Sequence, residues 1–333
     1  MNKFLIVLVF FLVSCDTDID SVMFQQFQRF IKKYHKKYSS MNEYLARYEV
    51  FKQNVMTTLK EENLPYKTGI TRFSDLTKQE FARTYLNLNY NALAAYNFNP
   101  HTVKISNAAP GSWDWREKGY VSAIKDQGGC GSCWAFATVA NLEGLFFKNK
   151  GYMEIMSEQM LVDCDTIDGA CNGGIMESAF DWIKQNGGIM RQADYPYTGT
   201  KGNCRADSSR YVPMRVTGYK KLKGATSDFW SPVNEDEVKE FLYETGPLAI
   251  ALNADPLQTY SSGILDRSSS QCPISGINHA VTIVGYGNEN GTDFWIVKNS
   301  WGTWWGEGGY FRIRRGTGVC GVNCYISTAT VSF

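Results

Sequence analysis

Histidine is scarce in this chain of 333 residues: there are three, and His35 and His101 both precede Pro110. The C-terminal two thirds therefore offers one imidazole, His279, for general acid–base chemistry near neutral pH. Cysteine is absent between residues 16 and 129, so the N-terminal segment is not a disulfide-held unit, whereas eight cysteines follow residue 129. Low-complexity tracts are missing, and 44% hydrophobic with 20% charged residues exclude a disordered, collagenous or coiled-coil chain. There is no clustered basic stripe, so no nucleic-acid partner is expected. Long apolar runs are missing too, apart from Phe4 to Val13 behind Lys3, which is too short to span a bilayer. Followed by Ser14, Cys15 and the acidic Asp16, that run has the layout of a secretory signal peptide over residues 1–15, leaving no membrane partner after its removal. A bacterial lipoprotein signal is the rival reading of Leu12-Val13-Ser14-Cys15.

A net charge of +1 hides an asymmetry. Residues 16–109 carry 13 basic and 9 acidic groups, and residues 110–333 carry 20 and 24. Two segments of opposite sign attract each other, which suits an N-terminal unit docked on a C-terminal domain. Eight cysteines in a chain bound for an oxidising compartment imply a disulfide framework in the C-terminal part.

Periodicity predicts an amphipathic helix over Met23 to Tyr38 and a second from about Asn42 to Asn63, ended by Leu64-Pro65. Residues 86–109 read as a linker. Trp134 to Phe147 is apolar almost all round and so predicts a central, buried helix. Shorter helices are expected at Glu158 to Cys164 and Met176 to Gln185. Strands are expected at Leu248–Leu252, His279–Tyr286, Phe294–Lys298, Tyr310–Arg314 and Ala329–Phe333. A mainly helical half followed by a mainly strand half suggests two lobes with a cleft between them.

The run Gln127-Gly128-Gly129-Cys130-Gly131-Ser132-Cys133-Trp134 is a tight glycine loop leading into the buried helix, with Ser132 as its expected N-cap. A thiol at Cys133 feels the positive end of the helix dipole, which favours the thiolate and hence a nucleophile. Gln127 can offer a side-chain N–H to the oxyanion of a tetrahedral intermediate, together with the Cys133 amide. A hairpin centred on Glu289 sets His279 across from Asn299, whose amide oxygen would fix the imidazole as a third catalytic group does. A hydrogen-bonded strand histidine and a turn asparagine are the competing readings. Zinc ligation by Cys130, Cys133, Cys320 and Cys324, or a redox pair at Cys130 and Cys133, are the competing readings of the cysteines.

These residues resemble a papain-like cysteine protease of the cathepsin L/F-like branch, over about residues 23–333. The motifs fall in that family's order: Q-G-x-C-G-S-C-W at Gln127–Trp134, C-N-G-G at Cys171–Gly174, N-H-A at Asn278–Ala280 and N-S-W-G-x-x-W-G-x-x-G-Y at Asn299–Tyr310. His279 lies 146 residues and Asn299 166 residues beyond Cys133, the longer spacing being assigned to insertions such as Thr226–Asp236. Upstream, Glu43, Arg47, Phe51 and Asn54 are similar to the family's propeptide stripe, which departs from the pattern at Thr58 and Glu62. Gly69, Thr71, Phe73 and Asp75 continue it, with Thr71 where asparagine is usual.

The resemblance implies an α+β, two-lobed fold with a helical lobe (about 118–211) and an antiparallel β-barrel-like lobe (about 212–333), preceded by a helical inhibitory propeptide (16–109). The mature chain would be 110–333. It implies a cysteine endopeptidase made as an inactive zymogen, with Cys133 as nucleophile, His279 as base and acid, Asn299 as orienter, Gln127 as oxyanion donor and Trp301 shielding the His–Asn pair. The substrate pocket would be Ile175, Met176, Ala251, Ile277, Ala280 and Tyr325, with Gly174 pairing the substrate backbone. The implied disulfides are Cys130–Cys171, Cys164–Cys204 and Cys272–Cys320, leaving Cys324 as a buried thiol. Neither metal nor organic cofactor is required. Protein and peptide substrates and the chain's own propeptide are the expected partners of a monomer sent to the lysosome, vacuole or exterior. A catalytically inactive binding protein on the same fold is the different-class alternative.

Overall fold

The structure is a computed structural model describing residues 3–61, 64–88, 100–102, 106, 108–222, 224 and 231–333, with the backbone alone for 3–18 and 100. Helix α1 runs from Lys3 to Tyr34 and α2 from Met41 to Lys60. The first begins well before Met23 and stops short of Tyr38. It stops because His35 takes a left-handed φ of 51°, which an L-residue adopts singly and a helix cannot continue. Ser40 starts α2 by accepting from the Glu43 amide. The two helices close over Met23, Phe27, Phe30, Phe51 and Val55. Of the stripe positions, Glu62 and its neighbour Asn63 lie outside the described residues.

Strand β1 (Tyr66–Thr68) then leads to α3 (Lys78–Tyr85), which Thr77 and Glu80 start with a reciprocal capping box. The segment read as a linker is not featureless. Leu88 bridges to Gly174, and β2 (Pro100–His101) pairs in parallel with a strand of the C-terminal domain; the rest of it, 89–99, 103–105 and 107, lies outside the described residues.

In the C-terminal domain, β3 is Trp113–Asp114, α4 Cys133–Lys150, α5 Glu158–Cys164 and α6 Met176–Asn186. Helix α4 is buried from Cys133 to Phe146 except at Ala140, in keeping with its all-round apolar sequence, and Gly151 ends it with φ 76°. Then follow β4 (Arg215–Leu222), α7 (Glu235–Thr245), β5 (Leu248–Leu252), β6 (Tyr260–Leu265), β7 (His279–Glu289), β8 (Thr292–Lys298), β9 (Tyr310–Arg314) and β10 (Tyr325–Ser332). The strand half thus contains a helix, α7, and the last strand starts four residues before Ala329. The sheet order is β1-β6-β9-β8-β7-β5-β10-β4-β2, with β3 beside β7. The segment before Pro110 therefore supplies both edge strands, covering backbone groups that would otherwise face solvent.

Two apolar cores result. One fills the β lobe around Trp295, Trp305 and Phe311 and takes in Phe73 and Phe81 of the propeptide. The other packs α4, α5 and α6 against β5 and β10 and takes in Leu88. Two ion pairs between described residues cross from propeptide to domain, Arg72–Asp126 and Arg267–Glu61. The second runs against the overall charge asymmetry, so apolar packing and strand pairing hold the segment more than net charge does.

Candidate active site

Cys133 opens α4, fully buried. Ser132 stands at the N-cap, yet its side chain caps nothing: its hydroxyl is taken by Tyr197 Oη at 2.7 Å. Gly131 has to be glycine because a Cβ there would lie 2.5 Å from the Cys171 carbonyl. The backbone amides of Ala280, Trp134 and Cys133 itself face the sulfur and favour thiolate, but burial outweighs them and pushes the thiol up to about 11. The dipole-activated thiolate expected from sequence is thus not the state of this covered cysteine. Desolvation of the charged form wins at this fully buried position.

At the start of β7, His279 Nε2 donates to Asn299 Oδ1 at 2.9 Å. Oδ1 also accepts from the Ser300 amide at 2.8 Å, so it is the acceptor, and the imidazole proton resides on Nε2. Nδ1 has no hydrogen-bond partner among the described residues. Burial pulls the imidazole down to about 4, the Asn299 bond opposing that shift. Trp301 stacks on the imidazole with centroids 4.7 Å apart.

The hairpin register differs from the one read from sequence. Asn290 and Gly291 both take positive φ (51° and 82°), forming a two-residue turn, and Glu289 pairs with Thr292. With a shift between Ile283 and Gly285, the ladder ends by pairing Thr282 with Lys298. Val281 rather than His279 is then level with Asn299, and the imidazole reaches its partner along the diagonal.

Gln127 is fixed at every polar atom. Its amide donates to the Ser300 carbonyl (2.8 Å), its carbonyl accepts from Tyr197 Oη (2.8 Å), and Oε1 accepts from Ser300 Oγ (2.6 Å). Nε2 donates to Cys130 O (3.0 Å) and to the Tyr85 carbonyl of the propeptide (3.3 Å). That same Tyr85 carbonyl lies by His279 and slightly favours its charged form. Phe73, Phe81 and Tyr85 pack edge-on against Trp301.

Further along the cleft the Leu88 amide donates to Asn278 O (3.1 Å), and Leu88 forms a bridge with Gly174. Its side chain belongs to the same buried cluster as Ile175, Met176, Ala251, Ile277, Ala280 and Tyr325. Gly174 admits this approach because a Cβ there would strike Asp168 and Trp134 at 2.7 Å. Asp168 accepts from the Ile175 amide at 2.9 Å, and its carboxyl, buried beside Asp165, is pushed up to about 8. Below the pocket, Tyr325 Oη donates to Glu177, and Lys221 Nζ sits 3.9 Å from the Tyr325 ring centroid. Burial raises the Glu177 carboxyl and brings Lys221 down to about 7.

Behind Asn299, Lys125 bonds Glu143 (2.9 Å) and Glu158 (2.6 Å), and Lys298 donates to Ser122 Oγ (2.8 Å) beside a cavity of about 20 Å³. Sequence periodicity marks none of Tyr197, Glu177, Lys221 or this cluster. They belong to no local motif, and only the partners that the fold brings to them give them meaning.

Disulfides join Cys130 to Cys171, Cys164 to Cys204 and Cys272 to Cys320, so Cys130 and Cys133 do not form a redox pair. Cys324 is buried with its thiol pushed up to about 11. No group of three or more candidate metal ligands occurs among the described residues. No helix among them is long and apolar enough to cross a membrane.

Residues 109–330 match the family described as papain family cysteine protease, and residues 27–81 match the cathepsin propeptide inhibitor domain. Mouse cathepsin F is 38% identical over 318 residues, covering 95% of this chain and 66% of that protein. A viral cathepsin of Epiphyas postvittana nucleopolyhedrovirus is 36% identical, with both chains covered in full. Among solved structures, a digestive procathepsin L2 from the larval midgut of Tenebrio molitor superimposes with a TM-score of 0.84 at 34% identity, covering 92% of this chain and 99% of that one. With these matches spanning both the N-terminal segment and the domain that carries Cys133, His279 and Asn299, the chain belongs to the papain family of cysteine proteases, with a propeptide inhibitor domain attached.

Proposed function

We propose that the chain is the precursor of a secreted or lysosomal endopeptidase. Residues 1–15 form its signal peptide, 16–109 its inhibitory propeptide and 110–333 the mature monomer. Cys133 attacks the scissile carbonyl as thiolate, with His279 Nδ1 as the acceptor of the thiol proton. The oxyanion forms against Gln127 Nε2 and the Cys133 amide. His279 passes its proton to the leaving amine, which departs as the thioester forms. Water, activated by the same imidazole, then hydrolyses the thioester and returns the thiol. Asn299 holds the ring and Trp301 excludes water from the bond between them. No cofactor takes part.

The observation that carries this reading is the Tyr85 carbonyl, which meets Gln127 and His279 together at the place a reacting carbonyl would occupy. Leu88 supports the pocket assignment, since its side chain lies among the six residues proposed to receive the substrate side chain two positions before the cut. The test is to label the processed protein with an irreversible epoxide inhibitor of thiol proteases and map the adduct by mass spectrometry. A single adduct on Cys133, lost together with peptidase activity in Cys133→Ala, is expected. An adduct on Cys324, or activity surviving in Cys133→Ala, overturns the assignment.

A further inference from the structure

Tyr197 lies outside the catalytic set, yet its hydroxyl touches the residues on both sides of it. Its one proton goes to the Gln127 carbonyl at 2.8 Å, so the 2.7 Å contact with Ser132 Oγ has serine as donor. Ser132 precedes Cys133 and forgoes the N-cap bond that a serine there usually makes. The phenol ring is fixed by an edge-on contact with Phe136 (centroids 5.0 Å apart) and by packing on the group containing Cys130, Val162, Ala170 and Cys171. Burial raises the phenol well above its ordinary pKa, so it remains a donor at any working pH.

We propose that Tyr197 is a positioning residue of the oxyanion-binding site: one hydroxyl bridges the backbone of Gln127, which carries the side-chain donor, to Ser132, whose successor Cys133 carries the amide donor. This rests on the reading of Gln127 and the Cys133 amide as that donor pair. The two lie at opposite ends of the loop Gln127–Cys133, whose Gly128 (φ 59°) and Gly129 add backbone freedom. Oxyanion donors contribute only when held at the right separation before the charge forms. Ser300 fixes the Gln127 side chain from the β lobe, and Tyr197 fixes the loop from the helical lobe.

The test compares Tyr197→Phe, Gln127→Ala and the double variant in the mature enzyme, with active sites titrated by the epoxide label. Tyr197→Phe keeps the ring and should lower kcat about ten-fold with KM within about two-fold, against a larger loss for Gln127→Ala. Affinity for a peptide aldehyde, whose thiol adduct carries the oxyanion, should fall by the same factor as kcat. In the Gln127→Ala background the effect of Tyr197→Phe should shrink to less than about two-fold, because the donor it positions is gone. Alkylation of Cys133 by iodoacetamide passes through no oxyanion and should keep its rate. Unchanged kcat, an equal loss in both backgrounds, or a parallel fall in the iodoacetamide rate each overturns the proposal. If Gln127→Ala loses nothing, it is the assignment of the oxyanion site that fails. Should Tyr197→Phe not mature, Ser132→Ala, which cuts the other half of the bridge, must show the same division between kcat and KM; a loss confined to KM overturns it.

Discussion

His279 and Asn299 are bonded at 2.9 Å along a diagonal of the β7–β8 hairpin, with Trp301 stacked on the imidazole and Tyr85 of the propeptide beside it. The bond fixes the tautomer, and burial withholds the proton that catalysis needs. On the proposed reading of the site, latency has two parts: a carbonyl standing where substrate would react, and an imidazole and thiol both held neutral.

Acid should open the zymogen. In the closed form the imidazole is depressed to about 4, whereas once uncovered it returns towards its ordinary 6.5. The open form thus binds the extra proton, so the closed state keeps its full advantage above about pH 6.5 and loses it as pH falls towards 4. At the lower limit the loss is on the order of 3 kcal/mol. Cleavage of the propeptide of a Cys133→Ala zymogen by an added protease should accelerate across that window, and Cys133→Ala/His279→Gln should respond less steeply. Identical pH profiles for the two would exclude His279 as a contributor.

Leu88→Asp should loosen inhibition. Its side chain is 8% exposed within the substrate-pocket cluster, and burying a leucine stabilises by roughly 1.5–3 kcal/mol. A propeptide carrying this change, added to mature enzyme, should inhibit about 10- to 100-fold more weakly. An unchanged inhibition constant would place Leu88 outside the pocket.

Specificity should favour Leu or Val over Arg two residues before the cut, and Leu over Phe. The six proposed lining residues carry no charge, so an arginine would be desolvated there without a partner. Tyr325, tied to Glu177, is the proposed floor. Values of kcat/KM on peptides differing at that residue alone should show Tyr325→Ala raising Phe relative to Leu. A wild-type preference for Arg, or an unaltered Leu-to-Phe ratio in the variant, would contradict the pocket assignment.

Lys125→Met should cost about 3–5 kcal/mol, because it strands two carboxylates that are each at most 2% exposed. Denaturant unfolding of the zymogen at neutral pH measures this. A cost below about 1 kcal/mol would mean that Lys298 alone compensates both acids.

The candidate site residues could be proposed from the sequence because their spacing is covalent. Gln127 and the glycines lie on the loop that runs into Cys133 at the start of α4, and His279 opens β7 while Asn299 directly follows β8, the two strands being joined by a short turn. The all-apolar α4 announced its burial, and β5 and β9 showed their bounds as short strand-like runs. Tertiary structure decided what local pattern cannot encode. The Asn290-Gly291 turn and the shift near Val284 set a diagonal rather than a facing His–Asn pair. Ser132 makes no cap bond, its hydroxyl bonding instead to Tyr197, 65 residues away in sequence. Helix α7 hid in the strand half, and α1 outran its apolar stripe. Above all, whether Cys133 is thiol or thiolate depends on water. The dipole of α4 is written into the sequence, but the burial of Cys133 that outweighs it is a property of the folded chain.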